Sequence, residues 1–337
     1  MKKYFMLFLR IISYIICLGL ILVLIFISRP TGIVDSPDEI KWGISFSKNF
    51  ATEMGLDWKK LYIEILNDLQ AKSIRLPIYW QDVEPIENKF IFDDYDWMIK
   101  KAEEKSVQLI LVIGRKLPRW PECHIPKWAN LYEEKIQQEK ILNLIKKIVI
   151  KYKNINNLYA WQVENEPFLP FGICPKRDEK FLDKEIALVK KLDDKHPIMI
   201  TDSGEIGTWL RAAKKADIFG STLYRIIYKK PFGYIKYPLN PNFFWAKANL
   251  VHLFSPTKPI IISELQAEPW QPGTLYESPL EEQSKSMNLE KFNANIEYAK
   301  KVAFPEVYLW GVEWWYWLKT KQNKPKIWEA AKKVIQK

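Results

Sequence analysis

Two glutamates stand at the ends of apolar segments that have the composition of buried strands. Glu166 closes "NLYAWQVENE", two residues after Glu164, and Glu264 directly follows "PIIIS". A carboxylate at the end of a buried strand is costly to desolvate unless it has partners. One such glutamate is often half of a structural ion pair. Two of them on different segments indicate a site where carboxyl groups act together.

Two opposed carboxyl groups are what glycoside hydrolysis requires. One must be protonated near neutral pH to hand a proton to the departing oxygen, while its partner stays ionised and attacks the anomeric carbon. The pair therefore predicts a glycoside hydrolase. A barrel isomerase or aldolase would need a phosphate site or a Schiff-base lysine at a strand end, and the sequence offers neither.

Polar and aromatic residues at neighbouring segment ends match this chemistry. Arg75, in "SIRLP", is expected to keep Glu264 ionised, and a tyrosine that ends "DIFGSTLY", Tyr224, is expected to donate a hydrogen bond to it. Asn165 is expected to bond the sugar hydroxyl beside the reacting carbon. The run "VYLWGVEWW" supplies the ring faces on which a sugar could stack, those of its first and second tryptophans. These two residues are Trp310 and Trp314.

The glutamates must be positioned by the elements that precede them, and these elements recur regularly along the chain. Apolar runs of strand length alternate with segments that carry apolar residues at the three-to-four spacing of amphipathic helices. This alternation predicts a parallel sheet covered by helices, and eight such units predict a closed (β/α)8 TIM barrel. An open doubly wound sheet is the alternative, and "SFSKNFATEMG" disfavours it because no glycine-rich phosphate turn follows the first strand. The eight runs are "KWGISFS", "SIRLPIYW", "VQLILVIG", "NLYAWQVE", "PIMITDS", "DIFGSTLY", "PIIISEL" and "VYLWGVEWW".

The N-terminal segment predicts a membrane anchor. Residues 11–28 carry no charge, and 18 helical residues span about the thickness of a bilayer core. Basic residues precede this segment and acidic residues follow it, which predicts a single-pass protein of the cell membrane with its domain outside the cytoplasm. A cleaved signal peptide is the alternative. We therefore expect an anchor over residues 1–28, a linker over 29–40 and one catalytic domain over 41–337.

Composition narrows the range of partners. The net charge is +11, but the lysines are dispersed in pairs along predicted helices and form no basic stripe, so we expect solvated helix faces and no nucleic-acid partner. The expected partners are an oligosaccharide or polysaccharide substrate and, through the N-terminal helix, the membrane. We expect a monomer that needs no metal ion and no cofactor.

Three cysteines are compatible with an exported protein. Cys17 lies in the predicted anchor, which leaves Cys123 and Cys174, in the loops after the third and fourth strands. Neighbouring loops on one face of a barrel could be joined by a disulfide in an oxidising compartment. Two unpaired thiols are the alternative.

The motifs together resemble clan A of the retaining glycoside hydrolases, the (β/α)8 group that includes cellulase-like and β-galactosidase-like families. The resemblance rests on "NEP" at 165–167 and on "IIISE", and it is supported by "SIRLPIYWQDVEP" and "YLWGVEWW". It implies that Glu166 is the acid/base and Glu264 the nucleophile. It also implies that Arg75 and Tyr224 are the arginine and tyrosine of the clan's second and sixth strands.

Three residues near these motifs need separate interpretation. Thr222 stands two residues before Tyr224, where the cellulase-like pattern often has a histidine. We interpret Glu164 as a structural group. Glu268, in the loop after the seventh strand, is interpreted either as a ligand for a sugar hydroxyl or as the partner of a basic side chain.

Two further functions are compatible with the same barrel. One is a non-catalytic carbohydrate-binding protein, which would have no need of two opposed carboxyl groups. The other is a transglycosylase, in which a second sugar takes the place of water.

Overall fold

The computed structural model describes residues 2–256 and 258–337. Its central feature is a closed barrel of eight parallel strands, accompanied by a separate two-stranded antiparallel hairpin. The barrel strands are β1 (Lys41–Ser45), β2 (Ser73–Pro77), β3 (Gln108–Ile113), β4 (Leu158–Val163), β5 (Ile198–Asp202), β6 (Ile218–Leu223), β9 (Ile260–Gln266) and β10 (Glu306–Trp310), and the hairpin strands are β7 (Ile226–Lys229) and β8 (Gly233–Lys236).

The strands close in the order β1-β10-β9-β6-β5-β4-β3-β2. All eight predicted apolar runs form barrel strands, and the prediction of a (β/α)8 barrel is confirmed. The hairpin β7-β8 was not predicted. The signal that indicates it is the segment "IIYKKPFGYIK", in which Pro231 lies in the turn and Gly233, at a φ of +75°, directly follows it.

Helices cover the outside of the barrel. Several begin at a side chain that accepts hydrogen bonds from the first free backbone N–H groups, such as Asp57, Asp178 and Asn288. The helices are α1 (Lys2–Ile27), α2 (Lys48–Glu53), α3 (Trp58–Asn67), α4 (Trp80–Val83), α5 (Asp93–Glu103), α6 (Glu134–Tyr152), α7 (Glu179–Leu192), α8 (Leu210–Lys215), α9 (Pro241–Phe254), α10 (Leu280–Ser284), α11 (Leu289–Val302), α12 (Val312–Lys321) and α13 (Lys326–Ile335).

The barrel interior is layered. Near its amino end a polar network joins the hydroxyl of Tyr308 to that of Ser73 at 2.7 Å and to Glu306 at 3.3 Å, and the hydroxyl of Tyr159 donates to Glu306 at 2.9 Å. An apolar cluster that is separate from the main core lies next to it. Its members are Ile110, Ala160, Met199, Ile218, Ile261 and Tyr308. The polar side chains of the candidate site lie toward the carboxyl ends of the strands, as in other barrels of this type.

The last barrel strand is shorter than predicted. β10 ends at Trp310, and Gly311 has a φ of +137°, a backbone conformation that residues other than glycine rarely adopt. A Cβ at this position would lie 2.7 Å from the Cβ of Glu268. Helix α12 begins at Val312, so the second half of "VYLWGVEWW" is helical.

The N-terminal helix α1 lies against α9. Within the part of the chain that the structure describes, no helix combines the length and the apolar character needed to cross a bilayer. The predicted membrane anchor over residues 11–28 is therefore not supported.

A disulfide joins Cys123 to Cys174, and the two Cα atoms are 5.2 Å apart. The predicted pairing is confirmed. The bond ties the long loop after β3 to the loop after β4. We call residues 115–128 of the first of these loops the strap.

Candidate active site

Arg75 is the centre of the site. Its side chain leaves β2 and is fully buried inside the barrel. The guanidinium donates from Nη1 to Glu264 Oε1 at 2.7 Å, from Nη2 to Asn165 Oδ1 at 2.7 Å and from Nε to Gln162 Oε1 at 2.7 Å. One planar cation thus fixes the residues at the ends of β4 and β9 relative to each other. Such charge-assisted bonds are short and strongly directional.

Glu264 has a second partner on its other oxygen. The hydroxyl of Tyr224, just after β6, donates to Glu264 Oε2 at 3.0 Å. Burial and the nearby carboxylates of Glu264 and Glu166 raise the pKa of Tyr224 well above its usual value, so the phenol keeps the proton that it donates. Glu264 is therefore a carboxylate held by a cation on one oxygen and by a hydroxyl on the other.

Glu166 is held by its backbone and by two threonines. Its φ is +41°, which places a non-glycine residue in the left-handed region and is a strained conformation typical of functional sites. The Glu166 N–H donates to Thr201 Oγ1 at 2.8 Å, and the hydroxyl of Thr222 donates to Glu166 Oε1 at 3.3 Å. Lys116 Nζ donates to the main-chain oxygen of Glu166 at 2.9 Å. Thr222, which occupies the position of the expected histidine, therefore contacts the candidate acid.

The two glutamates differ in their electrostatic surroundings. Burial, followed by repulsion from Glu264, raises the pKa of Glu166 well above the usual range of a carboxyl, and Lys116 offsets only part of this shift. Glu264 has the direct ion pair with Arg75, whereas the carboxyl of Glu166 has a neutral hydroxyl. Such unlike environments separate an acid from a carboxylate in one site.

Glu164 has a structural function. Its two oxygens accept the backbone N–H groups of Arg115 at 2.7 Å and of Lys116 at 2.6 Å. The side chain therefore fixes the start of the strap, in agreement with its interpretation as a structural group.

The predicted sugar-binding residues do not all reach the glutamate pair. Arg75, Asn165 and Tyr224 converge on it. Trp314 lies in α12 and is 2% exposed, and its Nε1 donates to Gln283 at 2.7 Å. Its ring is packed in the core and offers no face to a sugar, so the prediction for Trp314 is wrong. The error arose because "GVEWW" was assigned to a strand, whereas residues 312–321 form helix α12.

Trp310 and Glu268 lie at the mouth but contact an arginine of the strap. The guanidinium of Arg119 is 4.0 Å from the ring centroid of Trp310 and forms ion pairs with Glu268 and, at 2.6 Å, with Glu313. Of the two interpretations of Glu268, the structure shows the pairing with a basic side chain.

Sequence reasoning missed Glu122, a third buried carboxyl beside the pair. Glu122 Oε2 accepts from Asn165 Nδ2 at 3.3 Å and lies 4.0 Å from Lys116 Nζ. Burial is the main cause that raises the pKa of Glu122 to about 8, and repulsion from Glu264 adds to it. The sequence signal for Glu122 was weak, because "RWPEC" has no periodicity and only the adjacent Cys123 indicates that Glu122 lies near the site. Among the described residues, no group of three or more histidines, cysteines or carboxylates is placed to hold a metal ion.

Comparison with known proteins gives one family and many structural neighbours. Residues 44–301 match the family Cellulase (glycosyl hydrolase family 5), and no curated protein matches the chain. The fold is similar to that of GH5_18 from Bifidobacterium longum, with a TM-score of 0.58 and 13% identity over 81% of this chain and 69% of that one. It is similar to native xylanase 10B from Thermotoga maritima, with a TM-score of 0.55 and 17% identity over 89% and 96%.

The β-galactosidase of Rahnella sp. R3 is also similar in fold, with a TM-score of 0.55 and 12% identity over 84% of this chain. The chain spans 51% of the length of that protein, and 52% of a β-galactosidase from Halorubrum lacusprofundi. At these identities the similarity concerns the fold.

Proposed function

The chain belongs to the cellulase family, glycosyl hydrolase family 5, and is therefore a glycoside hydrolase that acts on carbohydrate; we propose that it cleaves β-glycosidic bonds by a retaining mechanism. In this proposal Glu264 is the nucleophile and Glu166 is the general acid and base. The unlike surroundings of the two glutamates carry the proposal. Glu264 is paired with Arg75 at 2.7 Å, whereas burial and repulsion raise the pKa of Glu166.

The first step forms a bond between Glu264 and the sugar. A carboxylate oxygen of Glu264 attacks the anomeric carbon, the bond from that carbon to the leaving oxygen breaks, and the leaving oxygen takes the proton of Glu166. A protonated carboxyl is needed for this step, and the burial that raises the pKa of Glu166 favours that form.

The second step reverses these roles. Glu166, now ionised, removes a proton from a water molecule, and the resulting oxygen attacks the anomeric carbon from the side on which the leaving group departed. The bond to Glu264 breaks and its carboxylate returns to the partners Arg75 and Tyr224. Two inversions leave the sugar with its original β configuration.

Asn165 is proposed to bind the hydroxyl next to the reacting carbon. Its Oδ1 accepts from Arg75, which fixes the orientation of the amide and turns Nδ2 toward Glu122 at 3.3 Å. An amide nitrogen carries two hydrogens. The second one is the donor that we assign to the sugar.

We further propose that the barrel works outside the cytoplasm. Disulfides form and persist in oxidising compartments, and the bond between Cys123 and Cys174 joins two loops of the site.

The anomeric configuration of the first product tests the mechanism. We would incubate the full chain with a panel of aryl β-glycosides and follow the reaction by proton NMR. The β anomer should appear first, and first appearance of the α anomer would refute retention. A 2-deoxy-2-fluoro aryl glycoside should label Glu264, as shown by peptide mass. The label should be absent from Glu264→Gln and present in the control Glu290→Gln, whose side chain is exposed on α11.

A further inference from the structure

We infer that this enzyme removes single sugar residues from the non-reducing end of its substrate, because Arg119 of the strap fills the space into which a longer chain would extend. The inference rests on the proposed function and assigns Arg119 as the residue that determines exo action.

Arg119 lies between two aromatic rings. Its guanidinium carbon is 3.8 Å from the ring centroid of Phe50, at α2, and 4.0 Å from that of Trp310, at the end of β10. The ion pairs with Glu268 and Glu313 hold it there, and the residue is only 8% exposed. The space that Arg119, Trp310 and Glu313 enclose with their neighbours is too small for a water molecule.

The strap that carries Arg119 crosses half of the barrel mouth. It starts at the end of β3, and the contacts of Arg119 lie beyond the ends of β1 and β10. β2 and β1 separate β3 from β10 in the barrel. The strap therefore covers the mouth above β2, β1 and β10.

Several bonds fix the strap in this position. The hydroxyl of Tyr79, which follows β2, donates to the main-chain oxygen of Pro118 at 2.9 Å. A ring nitrogen of His124, Nε2, is 3.1 Å from the main-chain oxygen of Arg119. The disulfide from Cys123 adds a covalent tie to the loop after β4. These bonds lie on both sides of Arg119 and hold the strap in a fixed position over the site.

The position of Glu166 determines the direction in which a substrate lies. In the circular order of the strands, β4 stands opposite β10. The glycosidic oxygen must lie beside Glu166, after β4, so the leaving group extends over β4 and β5. The far end of the bound sugar ring, which carries the next residue toward the non-reducing end, then points toward Trp310 and Arg119.

A second sugar on that side would have to displace Arg119. Displacement of the Arg119 guanidinium would leave Glu268 and Glu313 as buried carboxylates without their cation, and Glu313 is fully buried. Breaking a buried ion pair in this way disfavours the complex by about a hundredfold or more. We therefore expect no second sugar ring on this side of the bond that is cleaved.

The products from paired substrates test the inference. We would give the full chain p-nitrophenyl β-glycosides of glucose, mannose, galactose and xylose, and the matching β-1,4-linked biosides, and would identify the released sugars by mass. We expect monosides to be cleaved and biosides to lose one sugar at a time. Release of the intact disaccharide should be at least about a hundredfold slower.

Intact disaccharide as the main product would overturn the inference and leave the proposed function standing. If no member of the panel is cleaved and no fluoro-glycoside labels Glu264, the proposed function fails and the inference fails with it. The wild-type products decide the question even if strap variants do not fold.

Arg119→Ala tests the assigned residue directly. The ratio of disaccharide to monosaccharide released from a bioside should rise at least about tenfold, because the space beside Trp310 opens. Arg211→Ala, an exposed arginine on α8, should leave that ratio unchanged. An unchanged ratio in a folded Arg119→Ala protein would show that Arg119 does not limit the site.

Discussion

Replacing Glu166 with alanine should make the rate depend on the leaving group. With Glu166 present, a poor leaving group receives a proton as the bond breaks; without it, the oxygen must depart as an alkoxide. An activated aryl group departs with little protonation. Glu166→Ala should therefore impair the cleavage of unactivated glycans far more than that of dinitrophenyl glycosides.

The expected size follows from the position of the carboxyl. General acid catalysis by a positioned side chain increases the rate about 10²–10⁴-fold, which lowers the activation free energy for unactivated bonds by about 3–5.5 kcal/mol. For an activated aryl glycoside the first step should change by about tenfold or less. The second step should slow for every substrate, since no base remains to activate water, and the glycosyl-enzyme on Glu264 should accumulate.

The assay compares kcat/KM across aryl glycosides whose phenols span a range of acidity, with and without azide. Azide is a nucleophile that needs no base, so it should restore turnover of activated substrates in Glu166→Ala and give a β-glycosyl azide. Glu164→Gln is the matched control. It should lose stability, about 1.5–3 kcal/mol for one backbone bond to a charged acceptor, but keep the wild-type dependence on the leaving group. Azide rescue of Glu164→Gln, or full activity of Glu166→Ala on an unactivated glycan, would refute the assignment.

Three further predictions follow from the buried groups of the site. The wild type should lose stability relative to Glu122→Gln as the pH rises from about 4.5 to about 8. The pKa of Glu122 is raised in the folded protein, so its contribution to stability is complete below the pKa of the unfolded state and is lost above the pKa of the folded state. Urea unfolding at several pH values measures this loss, and parallel curves of stability against pH for the two proteins would contradict it. Changing Cys123 and Cys174 to serine should lower the free energy of unfolding by about 4 kcal/mol, from the loop of 51 residues that the bond closes, and a loss below about 1 kcal/mol would contradict the estimate. Arg75→Leu should destabilise the fold by about 3–5 kcal/mol in the same assay, because Glu264 would stay buried without its cation, and Arg75→Leu combined with Glu264→Leu should recover much of that loss.

The barrel could be predicted because its strands carry an unambiguous local signal. A parallel strand that is buried on both faces is apolar throughout, so each of the eight runs was visible without knowledge of its neighbours. Glu166 and Glu264 were found for the same reason, since a charged residue at the end of such a run stands out. Arg75, Asn165 and Tyr224 followed from the rule that strand ends meet at one face.

The strap could not be predicted, because its conformation has no repeat that a sequence pattern can reveal. Arg119 and Glu122 both have positive φ values, of 86° and 72°. Their contacts with Trp310 and Asn165 depend on that irregular path across the mouth. Trp314 was misplaced for a related reason: Gly311 turns a strand into a helix within one residue, and the aromatic composition is the same on both sides of the turn.

The layering of the barrel interior has a consequence for adapting this enzyme to other temperatures. The hydroxyl and carboxylate network of Ser73, Tyr159, Glu306 and Tyr308 lies at one end of the barrel, and the reacting groups lie at the other, with apolar side chains between them. Residues without shared partners make nearly additive contributions. Substitutions at the amino end should therefore change the thermal stability of the barrel, in natural or engineered variants, with little effect on the catalytic rate at the opposite end.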